Sequence, residues 1–166
     1  MKKALLVMDM QEVTVGGNHA DFFRYDSDLL QKVNAVIRET DAEAVVYLRN
    51  LMKRNLLSRF APVKVFDGAP EAALAKELLV VSPHIFSKYR GDAFSAPDFC
   101  AFLKSSGTDT VELTGVDGGG CVSLTALGAV RNGYRVIVNT SAVGTMFQAK
   151  KERLFEKLKK AGAVFI

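Results

Sequence analysis

Leu113-Thr114-Gly115-Val116-Asp117-Gly118-Gly119-Gly120-Cys121-Val122 is the stretch that decides the fold class. A strand over Thr110–Thr114 runs into a glycine-rich turn. The turn delivers Cys121 to the start of a helix that continues to Asn132 and stops at Gly133. Strand, tight turn and helix in that order form one half of a βαβ unit. Glycine lets the backbone bend sharply and present its N–H groups to a ligand. The unpaired N–H groups and dipole at a helix start favour a thiolate.

The same alternation extends in both directions. Upstream, Ala4–Met8 reads as a strand, and Ser27–Thr40 as a helix with Leu29, Leu30, Val33, Val36 and Ile37 on one face. Ala44–Leu48 reads as a second strand, followed by a basic, irregular loop over Arg49–Asp67. Pro70 opens a predicted helix through Leu79. A short strand falls near His84–Phe86, and a helix over Ala96–Ser105. Downstream come a strand over Tyr134–Val138, a cationic helix, and a last strand over Ala163–Ile166. Six strands with helical crossovers predict a single α/β domain over residues 1–166, a three-layer α/β/α sandwich on a mainly parallel, Rossmann-like sheet. Ligands bind such sheets beyond the carboxyl ends of the strands, where strand order reverses. Asp9, Arg49, Lys88 and Cys121 each stand at or just past a strand end, on that one rim.

Composition narrows the function classes. The chain has 166 residues, 49% hydrophobic and 24% charged, ordinary for a compact globular protein. No apolar run is long enough to span a bilayer, and the apolar stretch after Lys2-Lys3 breaks at Asp9 with no cleavage site following, so neither membrane nor signal peptide is expected. Two cysteines are too few for a disulfide scaffold, which points to a reducing cytoplasm. The net charge of +4 is accounted for by residues 150–160, with six basic and two acidic side chains. Leu154, Leu158 and Ala161 recur there at helical spacing, so the charge reads as a solvated helix face and not a nucleic-acid patch.

Two other readings of the glycine turn fail. From Gly118 the third position of G-x-G-x-x-G is Ser123, the fifth strand ends at Asn139 where a ribose-binding carboxylate is expected, and no Walker lysine is present. Cys100, in Phe99-Cys100-Ala101-Phe102-Leu103, reads as helix core.

Three segments in order carry a specific resemblance: Leu5-Leu6-Val7-Met8-Asp9-Met10-Gln11, then Lys88-Tyr89-Arg90-Gly91-Asp92-Ala93-Phe94, then Thr114-Gly115-Val116 through Cys121-Val122, continuing as Thr125-Ala126 and Gly133-Tyr134-Arg135-Val136. Together they make the chain resemble the isochorismatase-like cysteine hydrolases, the superfamily of nicotinamidases and N-carbamoylsarcosine amidases. The resemblance implies an enzyme cleaving the C–N bond of a small non-peptide amide through a thioester. Asp9 would be the general base and acid, Lys88 the cationic partner and Cys121 the nucleophile. It implies a cis peptide between Val116 and Asp117, with the Asp117 and Cys121 amides as oxyanion donors, and self-association as dimer or tetramer. Substrate contacts are expected from Val116, Asp117, Gly118, Gln11, Arg49, Tyr89 and Phe94, with Arg49, Lys53 and Arg54 favouring an anionic molecule.

The chain departs from the family pattern at Gly118 for a common threonine, Asp92 for a serine and Asn139 for an aspartate; three consecutive glycines loosen the turn. No aspartate-x-histidine pattern follows the second strand, and His19 and His84 lack ligand spacing, so neither metal nor other cofactor is expected. A catalytically weak small-molecule binder on the same scaffold is the alternative.

Overall fold

A computed structural model describes residues 2–17, 22–61 and 63–166. The strands are β1 (Lys3–Met8), β2 (Ala44–Asn50), β3 (Ile85–Lys88), β4 (Thr110–Val116), β5 (Arg135–Gly144) and β6 (Val164–Phe165). They form one parallel sheet in the order β3-β2-β1-β4-β5-β6. The helices are α1 (Glu12–Val15, one turn), α2 (Leu29–Glu39), α3 (Pro97–Ser105), α4 (Cys121–Arg131) and α5 (Gln148–Lys160). Apolar runs in β1 and β4 are buried along nearly their whole length, because helices cover both faces of the sheet. One core cluster contains Leu6, Met8, Leu113, Val122 and Leu158. The opposite one contains Leu5, Val7, Val33, Ile37 and Tyr47.

The sequence moves outward from β1 to β2 and β3, then returns to β1's other side with β4. The strand order therefore reverses between β1 and β4, and the loops after those two strands carry Asp9 and Cys121. Gly115 allows the two strand ends to meet. It pairs with Met8 at φ 101°, and a β-carbon there would stand 2.8 Å from the Met8 backbone nitrogen. No residue with a side chain fits that approach.

Two elements differ from the sequence reading. Only a 3-10 turn, Pro70–Ala72, forms where a helix through Leu79 is predicted. The following residues instead satisfy the backbone beyond β1: Glu12 N donates to Ala73 O and Ala75 N to Met10 O, around a Gln11–Leu74 bridge. Long-range pairing outweighs local helix preference there. The second difference is in β5, which does not end near Val138. Its pairing with β4 shifts register between Leu113 and Gly115, and it continues to Gly144. Asn139 thus lies within the strand, donating to Glu112 Oε1 at 3.1 Å, and the strand end is Gly144. Among the described residues, no helix is long and apolar enough to cross a membrane.

Candidate active site

Asp9 leaves β1 in the left-handed region, at φ 52°, the one such non-glycine conformation among the described residues. Local bonds hold it there: its amide donates to Leu48 O at 2.9 Å, and its carbonyl accepts from Gln11 N at 2.9 Å and Thr14 Oγ1 at 2.7 Å. Backbone strain kept in this way is typical of functional positions.

The side chain meets Lys88, the last residue of β3. Lys88 Nζ donates to Asp9 Oδ2 at 2.9 Å, Asn50 Oδ1 at 3.2 Å and the Arg90 carbonyl at 3.3 Å. Lys88 is fully buried. Burial pulls its pKa down, but its interactions with Asp9 first and then Cys121 outweigh this and raise it, so the group is an ammonium. Asp9 Oδ1 is also buried and accepts no hydrogen bond. An unpartnered carboxylate oxygen in the interior is costly. The Asp9 carboxylate and Lys88 both act by charge on the Cys121 thiol, in opposite directions.

The three ionisable side chains therefore come together, but the thiol is not the resting thiolate that a helix start suggests. Burial above all, then the Asp9 carboxylate, push the Cys121 thiol up to about 12, against the opposing pull of Lys88. The ground state pairs a thiol with a carboxylate.

The turn before Cys121 is held firmly, not loosened by its glycines. Asp117, buried after a cis Val116–Asp117 peptide, accepts from Gly119 N at 2.6 Å and Thr145 Oγ1 at 3.1 Å on Oδ1, and from Met146 N at 2.7 Å on Oδ2. Gly118 N donates to Gly144 O at 2.9 Å, and Ser123 Oγ to Gly118 O at 2.5 Å. The amides of Gly120 and Val122 both donate to Asp117 O. Among the described residues, this leaves the amides of Asp117 and Cys121 without an acceptor.

The other expected contacts divide. Val116 is buried in the core beneath the turn. Gln11 uses its carboxamide within the frame: Nε2 donates to the carbonyls of Asn50 and Ala72, and Oε1 accepts from Asn50 N. Arg49 alternates with Asn50 along β2 and so projects from the sheet face opposite Lys88, donating to Ser87 Oγ at 2.9 Å. Phe94 packs on Phe99 and Tyr134. Tyr89 stays half exposed, with the Lys53 ammonium 5.7 Å from its ring centre. Sequence reasoning missed Asn50 and Thr145. Asn50 has the strand-end position that marked Arg49 but the opposite pleat, and Thr145 follows a strand end placed too early.

The family model described as isochorismatase domain matches residues 3–166. Maleamate amidohydrolase of Pseudomonas putida is 35% identical over 92 residues, covering 52% of this chain and 42% of the relative. The matches span less than half the length of the curated relatives. Among solved structures, an isochorismatase-like hydrolase from Alkaliphilus metalliredigens is 25% identical with a TM-score of 0.83, covering 99% of this chain and 93% of that one. A pyrazinamidase of Pyrococcus horikoshii in complex with zinc is 26% identical with a TM-score of 0.81, covering 100% and 99%.

The described residues do not fit a zinc ion. No three His, Cys, Asp or Glu side chains among them converge as a ligand set. At the end of β2, the Asn50 oxygen already accepts from the Lys88 ammonium. His84 lies against the Phe102 ring, and His19 falls outside the described residues.

Proposed function

Since the chain belongs to the isochorismatase family, we propose that it hydrolyses the C–N bond of a small non-peptide amide through a thioester on Cys121. The observation that carries this reading is the asymmetry of Asp9. One buried oxygen is tied to Lys88, the other accepts no hydrogen bond, and the carboxylate acts by charge on the Cys121 thiol. That is the arrangement of a base waiting for its proton.

The substrate carbonyl oxygen lies between the amides of Asp117 and Cys121. As Cys121 Sγ bonds to the carbonyl carbon, its proton passes to Asp9 Oδ1, and the two amides take the negative charge formed on oxygen. Asp9 then gives that proton to the departing nitrogen, the C–N bond breaks, and an amine or ammonia leaves. A water molecule transfers a proton to Asp9 and attacks the thioester, and the sulfur leaves with the proton returned from Asp9. Lys88 stays charged throughout and holds Asp9 in place through Oδ2. The high thiol pKa suits this sequence, because proton transfer accompanies attack and no free thiolate accumulates.

Lys53, which borders the same cavity as Lys88 and the exposed Tyr89, favours an amide that also carries a carboxylate, in keeping with the name of the Pseudomonas putida relative; Arg54 lies over the Phe66 ring instead. The test is ammonia release over a panel of small primary amides, starting with dicarboxylic monoamides, with Cys121→Ala and Asp9→Asn as controls. Turnover is expected from the native chain and neither variant, with an acyl adduct on Cys121 detected by mass spectrometry after rapid quenching. No ammonia from any amide, while amides still raise the melting temperature, would make the chain a binder on this scaffold.

A further inference from the structure

Gly91 stands where the segment after β3 passes over the start of α4. A β-carbon on it would lie 3.9 Å from Cys121 Sγ and 2.7 Å from Leu124 Cδ1. Cys121 and Leu124 are three apart on α4 and share one helix face, the face turned to Gly91. The backbone does not require glycine here, because Gly91 is not one of the glycines with positive φ. What it supplies is room. The first carbon of any side chain at this position would stand in ordinary contact with the nucleophilic sulfur.

That room is of fixed size. Arg90 O accepts from Lys88 Nζ at 3.3 Å, and Gly91 O from Thr125 Oγ1 at 3.3 Å. Ala93 N donates to Thr125 Oγ1 at 3.0 Å, and Arg131 Nη2 to Asp92 Oδ2 at 2.8 Å. Gly128 leaves space on α4 for the Asp92 carboxylate, which a β-carbon there would overlap. Residues 90–93 are thus tied to Lys88 on one side and to α4 on the other, and cannot draw back from a larger group.

The room also lies on the open side of the site. Asp9, Lys88 and Asp117 are buried. Gly91, Cys121 and Leu124 are each partly exposed, and Lys88, Tyr89 and Arg90, immediately before Gly91, line a cavity of about 920 Å³. A carbonyl carbon under attack comes within about 3–3.5 Å of the sulfur. Groups attached to that carbon therefore meet whatever stands 3.9 Å from the same sulfur. We propose that Gly91 is a specificity-determining residue: its missing side chain gives the carbon next to the substrate carbonyl the width to carry a branch. The proposal rests on the hydrolase reading.

The experiment measures access to the sulfur and turnover separately. Cys121 is alkylated at one alkaline pH with iodoacetamide and with 2-iodopropanamide, which adds a methyl group on the reacting carbon. Both rates are followed on the Cys121 peptide by mass spectrometry, and their ratio cancels any change in the thiolate fraction. Gly91→Ala is expected to lower the branched-to-unbranched ratio about tenfold, the low end for one methyl group too many in a fitted pocket. Leu124→Ala removes the 2.7 Å overlap. Gly91→Ala is expected to lower the ratio in that background too, which separates the effect from misfolding. The kcat/KM ratio for succinamate methylated on the carbon next to the amide, over succinamate itself, is expected to follow the same pattern. A ratio within about twofold of its Gly91 parent in both backgrounds, the scatter expected of independent sites, overturns the proposal and leaves the hydrolase standing. No ammonia from any amide is a different result: it removes the hydrolase reading and the substrate role of Gly91 with it, even where the alkylation ratio shifts.

Discussion

At the scale of single residues, the site depends on which group holds the proton. Burial and then the Asp9 carboxylate push the Cys121 thiol up to about 12 in the folded chain, whereas an unfolded thiol titrates at about 8.5. The folded state binds this proton more tightly. The stability it contributes is therefore complete below about pH 8.5 and is lost as pH rises from there towards 12. Alkaline unfolding of Cys121→Ser should accordingly show a shallower loss of stability with pH than the native chain. Alkylation gives a second view. Iodoacetamide should label native Cys121 slowly at neutral pH and faster as pH rises, and Asp9→Asn should shift that rise to lower pH by removing the carboxylate's push. Fast labelling of the native thiol at pH 7 would mean it is not held protonated. Lys88 is a different case, because its ammonium is fully buried and offsets a buried carboxylate. Lys88→Met strands Asp9, and such losses cost about 3–5 kcal/mol. The unfolding free energy from urea titration should fall by that amount and turnover should vanish together with it.

At the scale of elements, Asp9, Lys88 and Cys121 were legible in the sequence because each lies where a strand ends or a helix begins, and a parallel sheet gathers such ends on one rim. What lay between those ends was less legible. Arg49 and Asn50 are adjacent, and only the pleat decides that Asn50 reaches Lys88 while Arg49 turns to Ser87. The segment after Pro70 has helical spacing but pairs with the backbone beyond β1, a partner more than 60 residues away that no local pattern reveals. The glycine turn shows how contact, not composition, sets rigidity. A β-carbon on Gly119 would stand 2.7 Å from the Phe147 carbonyl oxygen and 3.2 Å from the Lys151 amide nitrogen, both backbone atoms at the start of α5. One on Gly118 meets only the side chains of Val143 and Lys151. Gly119→Ala should therefore destabilise by about 1–3 kcal/mol, the usual cost of overpacking, and reduce turnover by displacing the Asp117 and Cys121 amides. Gly118→Ala should be milder in both respects. Equal effects in thermal melts and ammonia release would show that the turn does not rest on α5.

At the scale of the whole molecule, the strand order places the reversal between β1 and β4, so the two central strands both build the core and aim the chemistry. Their apolar runs are nearly continuous, which is why the sequence indicates a parallel sheet covered on both sides without revealing which side chain faces which layer. Leu5 and Leu6 make that point testable. They are consecutive, both fully buried, and belong to different clusters, Leu5 with α2 and Leu6 with α4 and α5. A sheet with one wet face would bury one and expose the other. Here each truncation removes packing from a filled layer, so Leu5→Ala and Leu6→Ala should each cost about 2–5 kcal/mol. Both sit in the middle of β1, several residues before Asp9. Under conditions where the variants remain folded, kcat should accordingly change far less than the urea midpoint. A large loss from one substitution and almost none from the other would mean that one helical layer does not cover the sheet, and the position of Asp9 between the two layers would have to be argued afresh.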